Sequence, residues 1–564
     1  MHGYDYGLIV AFTAAVLLPA PWLGRFYYKV MEGQRTWLSP ALGPVERLCY
    51  RVSGVNAGVE QNWQRYTLAL LAFNAAGVVL LWLLLMFQNV LPLNDQHVPG
   101  MEWTLAFNTA VSFMTNTNWQ AYSGEASLSY LSQMAGLTVQ NFVSAATGLA
   151  VLVALCRGIG RRSAQAIGNF WVDMTRATLY GLLPLCLLLA LALVWQGVPQ
   201  TFAHYVHATT LQGIDQVIPL GPAASQIAIK QLGTNGGGFF GVNAAHPFEN
   251  PTALSNLLEL ASIILIPAAL VFTFGHYVKD LRQSRAILAC MTLLLILGAA
   301  VSLWAEYQPN PALSLPMVEQ TAPLEGKESR FGTTASVLWA VTTTAASNGS
   351  VNAMHDSLNP LSGMVAMANM MLGEVVFGGV GAGLYGMLLN VLLAVFLAGL
   401  MIGRTPEYLG KKLQAREVRL LVATLLVMPL GVLVLGALAS ALPGPASAVS
   451  NPGPHGFSQL LYAYTSATAN NGSAFGGFSA NTAFHNLVLG LAMLLGRFGY
   501  ILPVLALAGS LAKKTPAPVS ADAFPTHGLL FTVLLTVTLL LVGGLSFLPA
   551  LALGPIADHL SMGV

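Results

Sequence analysis

Four short polar segments interrupt an otherwise apolar chain: TNTNWQ from Thr115, TNGGGF from Thr234, SNGSVN from Ser347 and NNGSAF from Asn470. Aligned on Asn116, Asn235, Asn348 and Asn471, they stand 119, 113 and 123 residues apart. The chemistry open to them is narrow. Threonine, serine and asparagine carry neutral oxygens and fix turns through local hydrogen bonds. Glycine in the same turns allows positive φ without a Cβ clash, so that successive carbonyls can face one way.

Irregular backbone survives at membrane depth only when buried in protein or lining a watery path. Four related turns around one axis would present four sets of carbonyl oxygens to a central point. Such a ring can replace the hydration shell of a potassium ion. None of the four segments contains Asp or Glu, which favours a monovalent, dehydrated cation over calcium with its carboxylate ligands. The alternative is four polar loops that merely join helices, against which the fourfold spacing argues. In this alignment Gln120 stands where the second and fourth segments have Phe239 and Phe475. Its side-chain oxygen reaches the ion in one reading and is an ordinary loop amide in the other.

The elements that must hold these turns follow from composition. Of 564 residues, 55% are hydrophobic and 8% charged, against about 25% charged in a soluble domain. Uncharged runs at Thr67–Phe87, Ala177–Trp195, Ile287–Trp304, Leu420–Leu442 and Leu529–Leu548 are each near the roughly 20 residues that cross a bilayer as a helix. Each polar segment follows a weakly apolar, helix-compatible stretch such as TLAFNTAVSFM or ASVLWAVTTTAA, and precedes another long apolar stretch ending in basic residues. The repeated unit is therefore a span outward, a short re-entrant helix, a polar turn and a span inward.

Four units plus a first and a last helix predict an all-α polytopic membrane protein of ten spans around a pseudo-fourfold axis. We read one integral domain over 1–564. It divides into a first helix and loop (1–66), repeats at 67–176, 177–284, 285–417 and 418–526, and a last helix (527–564). The path from Met364 to Ile402 in the third repeat is too long for one straight helix.

Of 24 Lys and Arg, twenty fall in Arg25–Arg65, Arg157–Arg176, Lys279–Arg285, Arg404–Arg419 and Lys513–Lys514. The positive-inside rule places these segments in the cytoplasm and both termini on the outer face. Asp5 precedes the first apolar run and Arg25 and Lys29 follow it, the reverse of a signal peptide, so the first helix reads as retained. The net charge of +2 gives no reason to expect nucleic acid. The Arg25–Arg65 segment reads as a solvated face. Cys49, Cys156, Cys186 and Cys290 are far apart and predict no disulfide framework.

Other chemistries find little support. Gly236, Gly238 and Gly241 match G-x-G-x-x-G, but a dinucleotide fingerprint follows a strand and opens a helix. Here PAASQIAIKQLG reads as a helix, and VNAAHPFENP does not open one. A second match, Gly381-x-Gly383-x-x-Gly386, sits in an apolar stretch. No Walker-type lysine and no Asp-Lys-Thr-Gly motif is present, so the chain alone is not expected to be an enzyme. No bound cofactor is expected, and histidines lack ligand spacing. His246 and His355 each precede an asparagine by four residues (Asn250, Asn359) and read as loop-ordering pairs.

Glu374 and Arg497 lie in apolar stretches, where a charge is costly and normally faces the bundle interior. They line or gate a route below the turns, or they pair spans structurally. Arg404 marks the route's cytoplasmic margin or is a positive-inside anchor. Lys230 reads as a snorkelling or carbonyl-capping residue, since a cation there would repel potassium.

Several stretches carry a family resemblance: NTNWQAYSGE (Asn116–Glu125), LGTNGGGFF (Leu232–Phe240), HPFENPT (His246–Thr252), EGKESRFG (Glu325–Gly332), SNGSVNAMHDSLNP (Ser347–Pro360), GRTPEYLGKK (Gly403–Lys412) and ATANNGSAFGG (Ala467–Gly477). Over essentially its whole length the chain resembles the KdpA family, the potassium-translocating subunits of the bacterial Kdp ATPase complex. The resemblance implies a channel-like member of the potassium-transporter superfamily in the bacterial inner membrane. It would work with a KdpB-type P-type ATPase subunit and small KdpC-type and KdpF-type subunits, with potassium as substrate. Potassium would bind in the turns and pass through an intersubunit tunnel to the ATPase subunit. By the family pattern the filter comprises Asn116, Thr117 and Gln120; Thr234, Asn235 and Gly236; Ser347, Asn348 and Gly349; and Asn470, Asn471 and Gly472. Gly373–Gly386, with Gly381 and Gly383, corresponds to a gate obstructing direct passage inward, and Arg25–Arg65 to a possible docking face for the ATPase subunit. The alternative function is a stand-alone, gradient-driven potassium channel or symporter of the same superfamily.

Overall fold

An apolar chain can hide its peptide groups in a bilayer only as helices, bonded within each span, or as a closed barrel; the long uncharged runs, each of helix-spanning length, are helical. The computed structural model describes residues 3–308, 310–311, 324–403, 405–516 and 524–562. Among these, ten helical segments are long and apolar enough to cross a membrane. The first, Gly3–Met31, is interrupted where Pro19 precedes the Ala20–Met31 helix.

The remaining spans fall into the expected units. Trp63–Met86 leads through the short Trp103–Met114 helix to the return span Ser132–Gly160. Phe170–Trp195, Ala223–Leu232 and Ala253–Val278 follow in the same way. The third unit runs from Leu281–Glu306 through Gly332–Ala345, and the fourth from Ala415–Ala441 through Gly453–Ala469 to Ala483–Lys513. Gly528–Ser561 is the last span. As its length predicts, the third return path is two helices, Pro360–Met371 and Ala382–Ile402, joined by Leu372–Gly381.

Return spans form the inside and outward spans the outside. The buried share is 89%, 78%, 61% and 44% for the four return helices, against 22% for Trp63–Met86 and 39% for the other three outward spans. Outer helices keep an apolar face for lipid, and inner ones spend theirs on each other. The starts of several helices are capped: Asn62 accepts from Arg65 N, Glu102 from Thr104 and Leu105 N, and Thr252 and Ser255 form a capping box. These caps satisfy amides that a helix start leaves unpaired.

Candidate functional site

Each of the four short helices ends one or two residues before a polar turn, at Met114, Leu232, Ala345 and Ala469. Helix C-termini carry partial negative charge, so four of them aimed at neighbouring turns favour a cation between them. The turns fold back on their own helices. Thr117 N and Asn118 N donate to Ser112 O (2.9 and 3.2 Å), and Asn235 N and Gly236 N donate to Lys230 O (2.9 and 3.2 Å). Asn348 N donates to Thr343 O (3.1 Å) and Asn471 N to Ser466 O (2.9 Å).

This pattern corrects the register of the first turn. Thr117, not Asn116, is the counterpart of Asn235, Asn348 and Asn471. The recurring triplets are Asn116–Asn118, Thr234–Gly236, Ser347–Gly349 and Asn470–Gly472. Backbone angles agree. The first member of each triplet has φ of 65°, 51°, 54° and 61°, and the third 55°, 89°, 85° and 97°. In this register Gln120 corresponds to Gly238, Val351 and Ala474, not to the phenylalanines.

Positive φ at a β-branched residue is costly, and Thr234 is held there from two sides. Its hydroxyl donates to Gly233 O (2.7 Å) and accepts from Val380 N (2.9 Å).

The four turns interlock head to tail. A Cβ on Gly236 would lie 1.7 Å from Asn348 O, one on Gly349 2.1 Å from Asn471 O, and one on Gly472 1.9 Å from Thr117 O. The remaining seam closes between Gly237, whose Cβ would lie 2.2 Å from Asn118 O, and the first turn. Side chains stitch the same seams. Asn116 Nδ2 donates to Thr234 O (2.8 Å) and Asn235 Nδ2 to Asn116 Oδ1 (2.7 Å). Asn348 Nδ2 reaches Lys230 O (3.2 Å), and Asn471 Nδ2 reaches Thr343 O (3.0 Å). Ser347 Oγ donates to Asn470 O (3.0 Å), and Asn470 Nδ2 to Thr117 Oγ1 (3.0 Å). The Gln120 amide is engaged at both ends, accepting from Gly238 N (2.8 Å) and donating to Gly238 O (3.0 Å).

Beneath the ring runs Leu372–Gly381. Gly378 N donates to Ala345 O (3.1 Å). A Cβ on Gly381 would meet Gly148 O at 2.1 Å, and one on Gly378 the Cα of Gly383 at 2.0 Å. Backbone therefore packs on backbone under the turns, which is why glycines interrupt this stretch. Glu374 is buried, with φ of 50°, and its Oε1 accepts from Asn471 Nδ2 (2.7 Å). Arg497 is also buried and donates from Nη2 to Ser144 O (2.7 Å). Both line a cavity of about 40 Å³ with Ser347, Asn470 and Tyr500, room for about two or three waters. The described ion pairs include none between Glu374 and Arg497; each faces the cavity from its own anchor. Arg404 lies outside the described residues.

On the opposite side a cavity of about 590 Å³ opens over the ring, lined by Asn118, Gln120, Gly349, Gly472, Lys327 and His355 among others. Lys327 is paired there with Glu306 at 2.9 Å.

Two sequence readings need correction. Lys230 does not snorkel: its side chain is fully buried and its ammonium pairs with Glu249, equally buried. The His355–Asn359 pair does not form. His355 Nδ1 meets the Tyr462 hydroxyl (2.9 Å), whereas Asn359 N donates to Glu306 Oε1 (2.6 Å). His246 and Asn250 do bond, through Asn250 N and His246 O (3.1 Å). Sequence reading also passed over Ser144, which donates to Asn116 Oδ1 (2.7 Å). Its signal was a polar cluster, QNFVS, inside an apolar span.

Comparison with known proteins agrees with this architecture. The profile of the family KdpA, "Potassium-transporting ATPase A subunit", matches residues 10–560. A "Potassium-transporting ATPase potassium-binding subunit" of Pseudomonas fluorescens (strain Pf0-1) is 83% identical over the full length of both chains. Proteins of the same description from Pseudomonas aeruginosa and Rhodospirillum centenum are 77% and 62% identical, covering 100% and 99% of this chain and 100% and 96% of their own. Among solved structures, the potassium transporter TrkH from Vibrio parahaemolyticus superposes with a TM-score of 0.52 at 15% identity, covering 80% of this chain and 86% of its own. That likeness concerns the fold. With a family profile spanning nearly every residue and relatives this similar end to end, the chain belongs to the KdpA family of potassium-transporting ATPase A subunits.

Proposed function

We propose that this chain is the potassium-binding subunit of an ATP-driven potassium transporter. It selects the ion in the four-turn ring and passes it to a P-type ATPase subunit. The carrying observation is the interlocked ring, in which three glycines each face the next turn's carbonyl at a distance no side chain could share. Four helix C-termini add a field that favours a cation, and the described residues offer no group of three metal-ligating side chains for a divalent ion. The basic segments face the cytoplasm and both termini the outer side, so the larger cavity is the entrance.

Below the ring, Leu372–Gly381 is the gate against straight passage. The ion turns aside through the cavity beside Glu374 and Arg497. A second cavity sharing Met428 and Tyr500 with the first continues this side route toward the ATPase subunit. KdpB-type, KdpC-type and KdpF-type chains are the partners of this reading.

The test is reconstitution. The chain co-expressed with its ATPase subunit should give vesicles that accumulate potassium only with ATP, and Gly236→Ser should lower potassium-over-rubidium preference by about tenfold or more. Full uptake against a steep gradient by the chain alone without ATP would instead establish a stand-alone, gradient-driven transporter.

A further inference from the structure

The turn register exposes one asymmetry in the ring's supports. The residue whose carbonyl receives the turn amides is Ser112, Thr343 and Ser466 in three repeats, and Lys230 in the second. In the three, a hydroxyl fastens the turn locally. Ser112 Oγ donates to Trp119 O (3.0 Å), Thr343 Oγ1 to Asn348 Oδ1 (3.2 Å), and Ser466 Oγ accepts from Gly472 N (3.0 Å). Lys230 has no such reach. Its stem lies beneath Gly238, where a Cβ would come within 3.4 Å of its Cδ, and its ammonium pairs with Glu249 in the loop following the turn.

Lys230 also bears on two turns at once, as Thr343 does through Asn471 Nδ2. Its carbonyl accepts from Asn235 N, Gly236 N and, across the seam, Asn348 Nδ2 (3.2 Å). The third turn is tied to this helix a second time, because Ser350 Oγ donates to Gln231 Oε1 (3.1 Å) while Gln231 Nε2 donates to Glu259 Oε2 (2.9 Å). Displacing residue 230 therefore shifts two turns together.

Building on the filter reading above, we propose that Lys230 and Glu249 are positioning residues for ion discrimination. The ion pair fixes the height of the Lys230 carbonyl, and with it the second and third turns, in place of the missing local hydroxyl. Neither side chain touches the ion. A buried charge that loses its partner is destabilising in itself, so the decisive variant removes both charges.

The assembled transporter carrying Lys230→Met with Glu249→Gln is measured for half-saturating potassium, potassium-over-rubidium uptake ratio and maximal rate, beside Gly236→Ser. The double variant is expected to raise half-saturation about tenfold and to lower the ratio at least about fivefold, with maximal rate within about twofold. A well-assembled double variant with wild-type half-saturation and ratio, while Gly236→Ser shifts both, overturns the proposal and leaves the filter reading standing. If neither variant shifts either quantity, both readings fail. Should the double variant not assemble, Glu249→Asp, which keeps the charge and shortens the reach, decides in its place: a smaller shift in the same direction supports the positioning role, and unchanged values overturn it.

Discussion

Glu374 Oε1 accepts a hydrogen bond from Asn471 Nδ2 at 2.7 Å, so the Leu372–Gly381 segment of the third repeat is fastened to the fourth turn of the ring. The same amide also donates to Thr343 O (3.0 Å). One side chain thus ties together the third short helix, the fourth turn and the segment beneath. A segment fastened this way is coupled to ring geometry. A change in one is felt by the other.

Glu374→Gln keeps an acceptor oxygen for Asn471, whereas Glu374→Ala leaves its amide short of a buried partner. The Ala variant should raise half-saturating potassium about tenfold, following the usual cost of an unpaired buried polar group. The Gln variant should change it by less than about threefold while altering maximal rate. Rubidium or potassium uptake by reconstituted vesicles reads both quantities. Equal behaviour of the two variants would deny the hydrogen bond its role.

Gly349→Ala and Gly472→Ala each place a Cβ about 2 Å from the next turn's carbonyl, at 2.1 and 1.9 Å respectively. Both also demand positive φ of a side-chain residue, at 85° and 97°. Each should lose potassium preference over sodium by about tenfold or more. Gly444→Ala serves as control, having nothing within 4 Å of its added Cβ. Uptake measured with competing sodium separates the three.

Arg497 holds its guanidinium in the cavity by one described bond, to Ser144 O. Arg497→Met keeps the length of the side chain and removes its charge. Under the proposed function it should lower the potassium moved per ATP hydrolysed, by about half or more, or abolish transport. Parallel ATPase and uptake assays on the assembled transporter give the ratio. A wild-type ratio and rate would assign Arg497 to packing alone.

His455 stands between Asp356 and Asp558, with Nε2 3.2 Å from Asp356 Oδ1 and Nδ1 2.9 Å from Asp558 Oδ2. Hydrogen bonds to Asp356 and then to Asp558 push its imidazolium up from the ordinary 6.5 to about 10. Between these values the folded chain keeps a proton that the unfolded chain has released, so stability from this site falls as pH rises. It is complete below about 6.5 and gone above about 10. The wild type should lose thermal stability between pH 7 and pH 9.5 more steeply than His455→Gln, as melting temperatures across that range would reveal.

Much of this architecture is readable from residues alone, for identifiable reasons. Sparse charge and continuous apolar runs of about 20 residues select membrane helices over the shorter, alternating strands of a barrel, and polar turns at near-constant spacing point to a fourfold repeat. A span too long and too rich in glycine must break, and it breaks at Leu372–Gly381. All of these are local properties, carried by composition and spacing within one segment.

Partnership is another matter. The first turn's true register, one residue from the obvious alignment of asparagines, follows from where its amides find Ser112 O. Glu374 meets a residue 97 positions away and Arg497 one 353 positions away. Lys230, which reads as a snorkelling or carbonyl-capping residue, is clamped by a buried carboxylate. Which donor meets which acceptor in a low-dielectric interior depends on how four helical units close around an axis. Sequence fixes each unit's periodicity, and only the closed ring decides which side chains come within hydrogen-bonding distance.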